Sequence, residues 1–186
     1  MIIHPEIQHR AQAELDAVVG PHRLPTLQDR ANLPYVGAIQ KEIYRWAAIV
    51  PLGIPHCATE DIVYESHLIP KDSLLVNNIW YTSILSTTLF WDLQLCNTRQ
   101  IAHDPENYVD PMAFNPDRFM DSKTILDPDT FVFGFGRRKC PGIEVAHSTI
   151  FVIIATCLTV FEFGHPKGVD GNEEKLKEEF ISGSVM

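Results

Sequence analysis

Residues Phe133 to Gly142 read F-G-F-G-R-R-K-C-P-G, and a long apolar run begins directly after them at Ile143. Three glycines, three consecutive cations and one cysteine fall within ten positions. Gly134, Gly136 and Gly142 allow a backbone with φ > 0 that approaches a flat ligand closely, where side chains would stand in the way. Cys140 then lies at the mouth of the helix predicted from about Ile143. The positive end of that helix, the loop N–H groups and the neighbouring Arg138 and Lys139 would all stabilise a negative sulfur ligand. Such a sulfur suits a soft or electron-poor metal.

A lone cysteine is most often a buried structural thiol. Here, however, the pattern F-x-x-G-x-R-x-C-x-G is matched at every fixed place, by Phe133, Gly136, Arg138, Cys140 and Gly142. On these residues the chain resembles the cytochrome P450 family, the haem-thiolate monooxygenases. The resemblance implies haem b (iron protoporphyrin IX) as cofactor, with Cys140 as the axial ligand to its iron. It implies Arg138 on the haem propionates, with His56 as a second contact, and Phe133 packed near the sulfur. Gly136 and Gly142 would act through backbone geometry. It further implies insertion of one oxygen atom from O2 into a lipophilic small-molecule substrate. NADPH would serve only indirectly, through NADPH-cytochrome P450 reductase docked on the cysteine side. Arg137, Arg138 and Lys139 form the one clearly basic patch there, although plain solvation would also account for Arg137 and Lys139.

Composition agrees with a globular chain and excludes some classes. The 186 residues are enough for one domain with a core. A net charge of −9 disfavours nucleic-acid binding. Cys57, Cys96, Cys140 and Cys157 form no C-x-x-C pair and no framework spacing, which fits a reducing compartment rather than a zinc or disulfide scaffold. Met1-Ile2-Ile3 runs straight into His4, Pro5 and Glu6, so no signal peptide or anchor is read in this chain. Full-length members of the resembled family sit on the endoplasmic reticulum membrane; this chain by itself is expected in the cytoplasm or at an unassigned location.

Ile7, Ala11, Leu15 and Val18 recur at helical spacing and predict an amphipathic helix from Pro5 to Val19, stopped by Gly20-Pro21. A second helix is predicted from about Pro34 to Ala48. Its K-E-I-Y-R-W segment puts Glu42 and Arg45 on one face. Alone, that is an ordinary solvated ion pair. Its position, with Arg45 standing 95 residues before Cys140, matches the resembled family. The family buries the pair with a third arginine behind the cysteine loop, and here F-N-P-D-R-F supplies Arg118. Between Val50 and Asn78, prolines and the Glu60-Asp61 turn divide short β-rich runs, which predicts a small antiparallel sheet. P-L-G-I-P-H, from Pro51 to His56, would form an apolar wall of the substrate pocket.

Residues 81–99 interrupt the resemblance. Without them Asn78-Ile79-Trp80 would join Gln100-Ile101-Ala102-His103-Asp104-Pro105 directly, and their own residues keep no clear period. The segment is read as an atypical insertion, either a retained intron of 19 codons (57 nucleotides) or a lineage-specific surface loop. A membrane span there is disfavoured by Asp92 and many hydroxyls. Ile143 to Phe163 predicts a buried helix rather than a membrane span, because Glu144, His147 and Glu162 bound its apolar part. Lys167 to Glu179 reads as a charged loop.

The predicted fold is mainly α with a small antiparallel β region, an incomplete, C-terminal part of the cytochrome P450 fold spanning 1–186. No G-x-x-T-type distal element is found in the sequence, and a haem open to water on that side would lose reduced oxygen. For that reason no catalytic residue is assigned within the chain. Three readings follow: the haem-binding portion of a monooxygenase, a fragment without autonomous catalysis, or a non-enzymatic interaction domain.

Overall fold

A computed structural model describes residues 1–47, 54–75, 98–121, 125–167, 174 and 176. The chain divides into two compact units, residues 1–33 with 151–186, and residues 34–150. Helix α4, Ile143–Val160, contributes its first turns to one unit and the rest to the other.

In the first unit, α1 spans Pro5–Val18. Proline suits the first helical position because its missing N–H has no intrahelical partner there. Ile7, Ala11 and Leu15 are buried as their spacing predicts, whereas Val18 is exposed. Gln8 joins the buried stripe because it satisfies both backbone groups of Phe163: its side-chain oxygen accepts from the Phe163 N–H at 2.9 Å and its amide donates to the Phe163 carbonyl at 3.2 Å. The Gln12 amide donates to the carbonyls of Leu158 and Phe161, both at 3.2 Å. These bonds satisfy carbonyls that the end of α4 leaves without intrahelical partners. Arg30 lies over the Phe151 ring, 5.6 Å from its centroid.

The second unit is built on α2, Pro34–Trp46. Two small antiparallel pairs follow it. β1 (His56–Cys57) pairs with β4 (Leu74–Leu75), and β2 (Ile62–Tyr64) pairs with β3 (His67–Ile69). Glu65 and Ser66 turn the β2–β3 hairpin with positive φ, as the favoured two-residue hairpin turns require. Val50, Pro51, Leu52 and Gly53 of the predicted sheet region lie outside the described residues, as does most of 81–99. The short helix α3 (Thr98–His103) begins at the end of that segment. Single turns of 3-10 helix then stand at Pro116–Phe119, Pro128–Thr130 and Gly136–Arg138. Ala102, Tyr108 and Phe131 form a buried cluster, with Ile101, Phe119, Ile125, Leu126 and Val132 packed around it.

Helix α4 differs from the sequence expectation in two respects. It ends at Val160, not near Phe163. It is also incompletely buried: Phe151, Ala155 and Leu158 are covered, but Val145 and Ile153 are exposed. Apolar residues run around its whole circumference, so burying one side leaves others bare. Its 18 residues are long and apolar enough to cross a membrane by length and composition. Within its first turns His147 finds polar partners in the second unit, Gln40 at its carbonyl and Asp129 at its ring, while Glu144 is exposed.

Candidate functional site

The loop 133–142 is closed by one backbone bond, from the Cys140 N–H to the Phe133 carbonyl at 2.8 Å. Gly134 (φ +80°) and Gly136 (φ +59°) make the reversal in the left-handed region, where a Cβ would be strained. The same expectation fails at Gly142, whose φ is not positive. A Cβ at that position would lie 3.8 Å from the Cys140 sulfur, an ordinary van der Waals contact, so neither φ nor space requires glycine there. Cys140, Arg137, Arg138 and Lys139 are all exposed, and α4 starts three residues after the sulfur. A thiol is thus presented outward between cations at the start of a helix.

Phe133 turns its ring inward while its carbonyl holds Cys140. The ring meets Tyr44 edge-on at 5.3 Å and His147 at 5.4 Å, and Tyr44 and His147 meet each other at 5.5 Å. Edge-to-face and tilted contacts at these distances set rings against one another specifically. The buried Gln40 amide donates to the Tyr44 hydroxyl at 2.9 Å and to the His147 carbonyl at 2.8 Å. His147 Nε2 faces Asp129 Oδ2 at 3.0 Å. Burial pushes the Asp129 carboxyl up, against the attraction of His147 and with the repulsion of Asp127. Burial acts likewise on Asp127, but the Lys41 ammonium at 2.6 Å and the Asp129 N–H outweigh it and leave that carboxyl below its ordinary value.

The other side of α2 carries the ion network. Glu42 and Arg45 have fully buried side chains. The Glu42 carboxylate accepts from Arg45 Nε at 2.7 Å, Arg45 Nη2 at 2.8 Å and the Asn115 N–H at 2.7 Å, and Arg118 Nε approaches it at 3.2 Å. Two cations share one anion, so their remaining N–H groups turn to carbonyls. Arg45 donates to Ala102, Pro111 and Ala113, and Arg118 to Val109, Asp110 and Ala113. Both guanidiniums also lie over the Tyr108 ring, at 5.2 and 5.9 Å. The Tyr108 hydroxyl donates to the Leu126 carbonyl at 2.6 Å, and burial pushes its phenol well up.

The sequence-predicted residues therefore fall into three groups. Phe133, Gly136, Arg138, Cys140 and Gly142 share one loop. Glu42, Arg45 and Arg118 meet in one buried network. His56 stands exposed on β1, and among the described residues no hydrogen bond or ion pair joins it to the Cys140 loop. Sequence reasoning missed Gln40, Tyr44, Tyr108, Asn115, Asp129 and His147. Gln40 and Tyr44 were within reach, as an i,i+4 pair flanking Glu42.

A thiol-bearing glycine loop ahead of a helix and a buried Glu-Arg-Arg network thus occur together in a mainly helical fold. The Cytochrome P450 family model matches residues 1–84 and 94–184, and the chain belongs to that family. The match breaks over 85–93, inside the atypical segment. The chain is 41% identical to cytochrome P450 monooxygenase claR of Ampulloclitocybe clavipes over its full length, covering 32% of that protein. It is 44% identical to cytochrome P450 monooxygenase 208 of Postia placenta, covering 33% of it. Among solved structures, a zebra fish cytochrome P450 with abiraterone aligns over 96% of the chain and 37% of its own, at 31% identity and a TM-score of 0.73. The chain thus spans about a third of the length of the curated relatives it matches.

Proposed function

We infer that this chain is the haem-binding portion of a haem-thiolate monooxygenase, with Cys140 as the ligand to the iron. The carrying observation is the exposed Cys140 sulfur on a loop closed by the 2.8 Å bond to Phe133. The residues present fit the group. One soft donor faces outward, the glycines leave its approach open, and Arg138 and Lys139 stand ready for carboxylates. A haem held there supplies dioxygen activation, favoured by electron donation from a thiolate.

Each residue then has a role in binding or orientation. Cys140 would hold the iron, and Arg138 and His56 would bind the propionates. Phe133, Gly136 and Gly142 shape the loop, while Glu42, Arg45 and Arg118 hold the segment 102–118 against α2. The exposed cations 137–139 form the docking surface for an NADPH-dependent reductase, since cationic patches steer acidic partners. The substrate is a lipophilic small molecule, and the whole protein works at the endoplasmic reticulum membrane. Residues 81–99 are an insertion that we read as a retained intron; a transcript that always carries these codons would refute that part.

The test is an absorption spectrum of the protein with haem added, reduced under carbon monoxide. A strongly red-shifted Soret band is expected in the wild type and not in Cys140→Ser. A wild type without the band, or a Cys140→Ser variant that keeps it, overturns the assignment.

A further inference from the structure

Outside the cysteine loop, the second unit holds a buried polar group that the proposed chemistry does not use. His147 is buried on the second turn of α4, seven residues after Cys140. Its ring touches Phe133 and Tyr44, and its Nε2 faces Asp129 Oδ2 at 3.0 Å. Its Nδ1 has no hydrogen-bond partner among the described residues. The Asp129 contact is therefore the polar restraint on the ring's rotation. The Asp129 backbone is in turn held, since its N–H donates to Asp127, which takes the Lys41 ammonium at 2.6 Å; the carboxylate's Oδ1 has no hydrogen-bond partner among the described residues, which leaves His147 as the polar contact of that carboxylate. One route of contacts thus runs from Lys41 through both aspartates and His147 to Phe133, whose carbonyl closes the Cys140 loop.

We propose that His147, aimed by Asp129, is a positioning residue for Cys140, holding the Phe133 ring and through it the backbone bond that presents the sulfur. The sulfur's role as ligand rests on the reading above; the positioning of the loop does not. The three rings are in mutual contact, every pair at 5.3–5.5 Å, so each ring is packed against both of the others. Freeing one ring loosens the other two. Loss of the Asp129 bond then raises the population in which Phe133 leaves Cys140 unheld. A hydrogen bond of ordinary net strength corresponds to about a fivefold change in that population.

The test is amide hydrogen exchange on the haem-free protein, resolved residue by residue. The Cys140 N–H reports the loop, and the Phe161 N–H, bonded to the Cys157 carbonyl at 2.9 Å, reports the first unit. Asp129→Ala and His147→Phe, the second of which keeps a ring but loses the donor, should each speed exchange at Cys140 about fivefold and leave Phe161 unchanged. Asp129→Asn, which keeps an acceptor for Nε2–H, should stay near the wild-type rate. No acceleration at Cys140, or an equal acceleration at both amides, overturns the proposal. Cys140→Ser in the haem-loaded spectrum tests the ligand separately, so a missing Soret band leaves the exchange result to decide on His147 alone.

Discussion

Glu42→Gln removes the one anion from a site that holds two guanidiniums. The glutamine has nearly the same shape, so no cavity forms and the cost is electrostatic. Its amide nitrogen must face a donor, either from Arg45 or from Asn115, because the carboxylate oxygens accept from Arg45, Arg118 and the Asn115 N–H. Stranding a buried partner costs about 3–5 kcal/mol. Four charge-assisted bonds to the carboxylate at about 1.5–3 kcal/mol each would suggest more. The loss stays within the lower range because both arginines keep their carbonyl partners, Ala102, Pro111 and Ala113 for one, and Val109, Asp110 and Ala113 for the other.

Against a total stability of about 5–15 kcal/mol, such a loss consumes a large part of the fold's margin. With a urea slope of about 2 kcal/mol/M, a cost near 4 kcal/mol lowers the denaturation midpoint by about 2 M. Urea titration followed by circular dichroism reads this directly. Lys41→Met is the control, because Lys41 is the adjacent residue of α2 and its bond to Asp127 is about 40% exposed on both sides. That pair should be worth no more than about 1 kcal/mol. A Glu42→Gln midpoint within about 0.5 M of wild type, or equal shifts for the two variants, would refute the reasoning.

Tyr108→Phe deletes the donor to the Leu126 carbonyl while keeping the ring under both guanidiniums; it should lower unfolding free energy by about 1–2 kcal/mol, and Tyr108→Leu by more, both read by urea titration. Gln8→Ala removes two hydrogen bonds to the part-buried backbone of Phe163 and should cost about 1–3 kcal/mol, with faster proteolysis after Val160 as a second readout. Asp29 is held well below the usual carboxylate range by its paired bonds from Arg23 at 2.7 Å and by the Thr26 N–H. A depressed carboxyl contributes stability that is complete above about pH 4 and disappears as the pH falls through its folded value. The wild type should therefore lose stability on acidification below that pH, and Asp29→Asn should show a shallower acid limb; identical limbs count against the assignment.

Much of the organisation was legible because it depends on local spacing. The i,i+3 placement of Glu42 and Arg45 follows from helix geometry alone, and so does the stripe Ile7, Ala11, Leu15. Gly134 and Gly136 announce a left-handed reversal without any tertiary knowledge. Other features depend on what lies opposite in space. Gln8 reads as a polar residue on a helix surface, yet it is buried because Phe163 offers it both a donor and an acceptor. His147 reads as the polar interruption of an apolar run, and only the fold brings Asp129 to its Nε2. Gly142 shows the reverse case. Its residue type suggested a left-handed φ, whereas its φ is not positive and a Cβ there would make only an ordinary contact with the sulfur.

Helix α2 explains why these parts work together. Residues 40 and 44 lie one turn apart on one face, and residues 42 and 45 lie on the face turned about 150° from it. Gln40 and Tyr44 engage His147 and Phe133 at the base of the Cys140 loop. Glu42 and Arg45 engage the segment that carries Arg118. Lys41, between them, engages Asp127. A single rigid rod thus fixes two otherwise irregular stretches of chain, each too poor in regular structure to hold its own shape. The buried ion network resists rotation of that rod, because turning α2 by one residue would carry Glu42 about 100° away from both arginines. Specificity of register, more than net stability, is what an ion network at this position contributes.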